Sequence, residues 1–316
     1  MATNATATAT TTATTLPSPT STNGCTIDTC AINSSFYMYR IDLAPNITFL
    51  AMFSTFLLCF TLTYLLTRKW RSFWIAMSLG LISEMTGYVG RILSYGDQWA
   101  ETGFLMQIIC LTIAPAFLTA GIYLCLSRIV RVFGPEHSRI PTAWYPRIFI
   151  PCDIIALILQ AAGGAMAAIA LSNNTSLDTG DDVMIAGLVF QVFTLLIFIG
   201  ICVDFGIAVR RRRVLDKKEE KAGSTTARLP WQLKGFLVCL GVATIAIFWR
   251  CCYRVAELNG GWTGPIMYHQ DYFVWFEGFL ITLAVAALVL FHPALCLREE
   301  AEPAKAFDYT AVEQES

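Results

Sequence analysis

Charge is what this sequence has least of. Only 14% of its 316 residues are Asp, Glu, Lys or Arg, while 55% are hydrophobic, and the mean hydropathy is +0.56. A soluble domain does not combine so much apolar residue with so little charge. A net charge of -1 leaves no basic surface for nucleic acid. There are three histidines, His137, His269 and His292, all in loops or at a helix edge, which argues against a buried His-ligated zinc centre. No C-x-x-C or Cys/His pattern suggests metal. The chain has no phosphate-binding G-x-x-x-x-G-K-[ST], no G-x-S-x-G, and no lysine in its last apolar span to carry retinal. No cofactor, metal or catalytic residue is expected, and the chain does not read as an enzyme.

What is there is a series of apolar runs near the ~20 residues that cross a bilayer. Seven spans are expected, at Leu43–Leu66, Phe73–Ile92, Thr102–Arg128, Ile148–Leu171, Val183–Val209, Leu233–Tyr253 and Asp271–Leu295. The fold class is an all-α membrane protein, a seven-helix transmembrane bundle over residues 43–297. Ahead of it, residues 1–42 form a Thr/Ser/Ala-rich tail that cannot bury a core and is expected to be disordered. Residues 298–316 form a short tail. The loops at 67–72, 128–147 and 210–234, with the C-terminal tail, hold eighteen of the 22 Lys and Arg. By the positive-inside rule the N-terminus lies outside and the C-terminus in the cytosol. Sequons at Asn4, Asn33, Asn173 and Asn174 fall on the outside in that orientation. Cys25 and Cys30 lie outside the apolar runs and can pair if that side is oxidising, whereas the other nine cysteines read as small hydrophobes. The basic run at 210–221 reads as a solvated stop-transfer flank.

A few charges stand where lipid should be. An ionisable group at the bilayer centre costs ~2.5–3.5 kcal/mol on insertion scales, so such groups face a protein interior or a wet cavity. In the sixth span Arg250, Arg254 and Glu257 fall at i, i+4 and i+7, one face of a helix. In the second, Glu84, Tyr88 and Arg91 do the same, with Glu84 roughly 16 Å in from Phe73. The two spans run in the same direction with opposite charge order. If they face each other, Glu84 is level with Arg250 or Arg254, and Arg91 with Glu257, a structural ion-pair network. Gln107, Gln160, Gln191 and Glu277 add polar groups at comparable depth. Glu84, Tyr88, Gln107, Gln160, Gln191 and Glu277 are the candidate substrate-binding residues, the arginines serving as scaffold. An interhelical hydrogen bond is the competing reading for each glutamine. Gly163 and Gly164 offer a small face for close packing. Pro115 should kink the third span and free a carbonyl, which is tolerated only against protein or water.

Seven spans with E-x-x-x-Y-x-x-R, Gln107…A-P…Ile122-Tyr123, Asp153…Gln160…Gly163-Gly164, Gly187…Gln191 and R-x-x-x-R-x-x-E-x-x-x-G followed by Glu277 resemble the fungal lipid-translocating exporters, the RTA-like proteins. The resemblance runs from about Ala44 to Pro293. It implies a multi-pass protein, expected in the plasma membrane, that exports or translocates sphingoid long-chain bases or similar amphiphiles and confers resistance to toxic amphiphiles. Some members are associated with haem or porphyrin traffic. The expected partners are membrane lipids or amphiphilic small molecules, with a homo-oligomer left open. A seven-helix receptor or sensor is the alternative from another class. Against it, L-S-R-I surrounds Arg128 with no preceding acid, and the last span ends F-H-P-A-L rather than N-P-x-x-Y.

Overall fold

The computed structural model describes residues 25, 27, 29–133, 141–173, 175, 176, 178–220, 231–260, 266 and 268–296, the side chains of 33, 132, 133, 171, 172 and 212–220 excepted. Among these residues the regular structure is all helical. The elements are α1 (Leu43–Thr67), α2 (Arg71–Gly96), α3 (Glu101–Phe133), α4 (Trp144–Ser172), α5 (Asp178–Glu220) and α6 (Trp231–Asn259). The last span is α7 (Gln270–Tyr272), a π-helix (Phe273–Phe279) and α8 (Leu280–Leu290), with the short α9 (Pro293–Cys296) after it. Six of the seven long helical segments are apolar enough to cross a membrane; α2 has the length but falls short in hydropathy. Its glycines, serines and Glu84 account for that. Helices suit the setting because each satisfies its own backbone where lipid offers no hydrogen bonds.

Burial is inverted relative to a soluble protein. Arg91, Arg250 and Arg254 are among the largest fully buried side chains, while Leu58, Leu66 and Leu290 are 71%, 76% and 77% exposed. An apolar exterior around a polar interior is the arrangement a bilayer selects, and the chain is an integral membrane protein.

Neighbours in sequence pack together, and α3 touches α2, α4 and α6. Two seams rely on glycine. A Cβ added to Gly90 of α2 would lie 2.9 Å from the Gly103 carbonyl of α3, and one added to Gly163 of α4 only 2.4 Å from the Met184 amide of α5. Removing side chains lets backbones approach, which drives helix association where lipid removes the hydrophobic term.

Two boundaries differ from the sequence expectation. The helix α5 runs to Glu220, well beyond Val209. Arg, Lys, Leu and Glu are strong helix formers, and no glycine or proline occurs before Gly223 to stop it. Packing also begins before Leu43. Ser35, Tyr37 and Ile41, assigned to the tail, are buried, and Trp99 Nε1 donates to Ser34 Oγ at 3.0 Å. Met38 turns the segment with a φ of 57°. The tyrosines and phenylalanine of F-Y-M-Y give this stretch the apolar surface that the preceding Thr/Ala run lacks. Cys25 and Cys30 form a disulfide with Cα atoms 5.4 Å apart. Asn33 lies in a short 3-10 turn (Ile32–Ser34) and Asn173 is exposed just past α4; Asn4, Asn174 and residues 298–316 lie outside the described residues.

Candidate functional site

The buried charges converge where α2, α3, α6 and the π-helix meet. Arg250 donates from Nη2 to Glu277 Oε1 and to the carbonyl of Leu111, and the same nitrogen is 3.8 Å from Glu84 Oε1. Leu111 stands four residues before Pro115. Proline has no N–H, so the Leu111 carbonyl loses its helical partner, and Arg250 replaces it. One helix turn on, Arg254 pairs with Glu257 on its own helix and donates to Thr112 Oγ1 at 3.2 Å. Tyr253 donates its hydroxyl to Glu257 at 3.2 Å. Three acids and three arginines lie inside this part of the bundle, so its formal charge balances.

Arg91 departs from the expected ladder. It forms no ion pair with Glu257. Its guanidinium donates to the Tyr39 hydroxyl and, at 3.3 Å, to Gln107 Oε1, and lies 3.8 Å from the centre of the Phe273 ring. Glu257 is already held by Arg254 and Tyr253 from its own helix, while an aromatic face and two oxygens take the terminal nitrogens of the Arg91 guanidinium without a carboxylate and its Nε is left unpartnered. Tyr37 completes the cage, donating to Gln107 Oε1 at 2.8 Å. Burial pushes the Tyr37 phenol up to about 12 against the opposing pull of Arg91, so it is a donor at neutral pH. Removing only the Tyr39 hydroxyl, by Tyr39→Phe, should destabilise the protein by roughly 1.5–3 kcal/mol, the range for hydrogen bonds to charged groups. Denaturant titration in micelles reads this, and a change within error of zero would mean that water replaces the hydroxyl.

Glu84 is placed differently from the other acids. It is 0% exposed, and neither of its carboxylate oxygens has a hydrogen-bond partner among the described residues. The Tyr88 hydroxyl and Glu277 Oε2 are likewise buried and unpartnered. Rings of Phe49, Phe53 and Phe273 pack around Tyr88. The result is three carboxylate oxygens and one phenol hydroxyl with no hydrogen-bond partner assigned to them, beside an apolar wall. A void of about 20 Å³ beside Arg91, lined by Tyr37, Tyr39, Gln107, Arg254 and Glu257 among others, has room for about one water. The segment 36–39 covers it.

Two candidates stand apart from this cluster. Gln160 donates from Nε2 to Gln191 Oε1 at 2.9 Å, joining α4 to α5. One donor and one acceptor meet across the glycine seam, while Gln160 Oε1 and Gln191 Nε2 are buried without a partner; the pair ties α4 to α5 away from the charged groups. Asp153 is buried and accepts from Thr119 Oγ1 at 2.8 Å. The sequence reading missed Tyr37 and Tyr39, which the aromatic cluster closing the polar tail marks. It expected Pro115 to free a carbonyl and did not name Arg250 as the group that takes it.

The sequence profile described as "RTA1 like protein" matches residues 77–300. The chain is 33% identical over 296 residues, 86% of this chain and 77% of the relative, to the "Sphingoid long-chain base transporter RSB1" of Saccharomyces cerevisiae. Two further relatives from the same yeast are "Protoporphyrin uptake protein 1", 27% identical over 209 residues (66% of this chain, 64% of the relative), and "Protein RTM1", 28% identical over 231 residues (72% and 69%). No solved structure matches. The profile begins within α2 and takes in every buried arginine and acid of the cluster, and on that match this protein belongs to the RTA1-like family.

Proposed function

We propose that this protein moves amphiphiles with a cationic head group across the bilayer, sphingoid long-chain bases being the cargo class, and so confers resistance to toxic amphiphiles. The observation that carries the reading is the buried Glu84, whose two oxygens have no donor while Tyr88 and Glu277 Oε2 beside it are also unpartnered. An ammonium with neighbouring hydroxyls is the complement of that set: it brings several donors for the idle carboxylate oxygens, beyond the charge that Arg250 already sets 3.8 Å from Glu84. The name of the yeast long-chain base transporter supports the same class. In this reading Glu84, Tyr88 and Glu277 hold the head group, Gln107 borders it, Arg250 and Arg254 hold the frame, and the segment 36–39 lifts to admit it. The distribution of Lys and Arg supports seven crossings over residues 43–297 with the N-terminus outside, and the plasma membrane is the membrane proposed for it.

The test is transbilayer movement of a fluorescent sphingosine analogue in phosphatidylcholine vesicles holding the purified protein. Wild type should equilibrate the analogue between leaflets. Glu84→Gln, which keeps the shape but not the charge, should fold and slow that movement by roughly ten- to a hundredfold, the equivalent of one charged hydrogen bond. A Glu84→Gln protein that moves the analogue as wild type does removes the head-group assignment. Binding without movement would favour a sensor. Protoporphyrin is the competitor to include, given the name of the second relative.

A further inference from the structure

A second, much larger space lies between α3, α5 and α6. It measures about 900 Å³, near the top of the ~300–1,000 Å³ range of ligand pockets. Its walls are apolar, among them Leu126, Phe198, Val209 and Leu237. Thr244, one of its few polar residues, turns its hydroxyl back to the Leu240 carbonyl. The space opens sideways between α5 and α6, where Val203 and Val238 are 55% and 65% exposed. Two of its residues are charged, and both are cations: Arg210 near the far end of α5 and Lys234 in the first turns of α6. Because α5 and α6 are joined at that end, the two cations sit together at one end of the groove. No acid lines it. From Lys234 to Ile245 the α6 wall is roughly 16 Å long at 1.5 Å per residue, about half of a ~30 Å hydrocarbon core and so one leaflet deep.

We propose that this groove is a binding site for a lipid with an anionic phosphate head, its phosphate on Arg210 and Lys234 and its acyl chain along α3, α5 and α6. The site is separate from the buried acids around Glu84 and selects the opposite charge. A long-chain base would bring its ammonium to two cations with no carboxylate among the described lining residues to offset them. A phosphate finds two donors at the depth where a leaflet carries its head groups, and the acyl chain fills a space that the protein's own side chains leave open. Gly206 and Gly241 show how open it is, since a Cβ added at either would meet nothing within 4 Å.

The experiment uses the full-length protein in phosphatidylcholine nanodiscs doped with spin-labelled phosphatidic acid or spin-labelled phosphatidylcholine, reading the immobilised fraction of each. Two interfacial cations predict a roughly thirtyfold preference for phosphatidic acid at low salt. Arg210→Gln with Lys234→Gln should bring that preference near parity. Gly241→Phe, or Gly206→Phe in its place, should abolish immobilisation by filling the chain's space while both cations remain. Arg211→Gln, adjacent in sequence but outside the lining, should leave the preference intact. Equal immobilisation of the two lipids by wild type overturns the proposal. So does a preference that survives filling at both glycines, or one that Arg211→Gln reduces as much as Arg210→Gln does, since the phosphate is then held by diffuse charge. Displacement of phosphatidic acid by sphingosine would also overturn it. None of these outcomes bears on Glu84, whose role is read by movement of the base alone.

Discussion

Arg250→Met should destabilise the folded protein by about 3–5 kcal/mol, the range for removing one partner of a buried ion pair. Methionine keeps the apolar length but strands three acceptors at once. Glu277 Oε1 and the Leu111 carbonyl lose their donor, and Glu84 loses the positive charge 3.8 Å away. Denaturant titration in micelles measures the change, and a loss under ~1 kcal/mol would show that the guanidinium is not the keystone of the cluster. The same geometry predicts which second changes rescue it. Glu277→Met added to Arg250→Met removes one stranded charge and should recover part of the loss, as buried pairs replaced by apolar residues commonly do. Pro115→Ala added to both supplies the missing N–H to Leu111 and should recover more. Exchanging Glu84 and Arg250 should not rescue. A glutamate at 250 would face Glu277 and a carbonyl, both acceptors.

The second large effect separates two adjacent glycines. Gly163→Ala should lose folded protein, by ~1–3 kcal/mol or more, because the added methyl falls 2.4 Å from the Met184 amide of α5 and backbone cannot turn aside. Gly164→Ala should be neutral or slightly stabilising, since its nearest neighbour is the Met184 sulfur at 4.0 Å and alanine favours helix. Yield and thermal unfolding of the two variants side by side decide it. Equal tolerance at 163 and 164 would show that α4 and α5 are not seated as closely as the structure has them.

These cases also show what can be read without coordinates. Helix existence was legible because apolar runs of the right length are unambiguous, and the charges within them pointed inward on energetic grounds alone. Pairing was only partly legible. Spacing placed Glu84 level with Arg250 or Arg254, and Arg250 is its neighbour. It did not reveal that Glu277 from the last span reaches Arg250 more closely, because the rotation of one helix against another is not encoded in its own periodicity. Arg91 shows the same gap: the Tyr39 hydroxyl and the Tyr37 and Tyr39 rings beside it come from a stretch whose polar flanking composition suggested no structure. Gly163 and Gly164 are equivalent in a sequence pattern and become different only when α5 is set against one of them. The groove was invisible, since a cavity is the absence of side chains from three helices at once.

The π-helical turns of the last span have a mechanical consequence. In an α-helix every fourth residue drifts by roughly 40° around the axis, so Phe273 and Ile281 would lie about 80° apart. The wider turns between Phe273 and Phe279 reduce that drift, and Phe273, Glu277 and Ile281 are all buried. The ring over Arg91 and the carboxylate on Arg250 therefore hang on the same few loosened turns. Rewinding those turns to α would swing Phe273 away from the guanidinium while Ile281 stayed seated in the core, with the helix unbroken. The ring over Arg91 would then travel as on a screw thread, by a change of pitch rather than by a hinge.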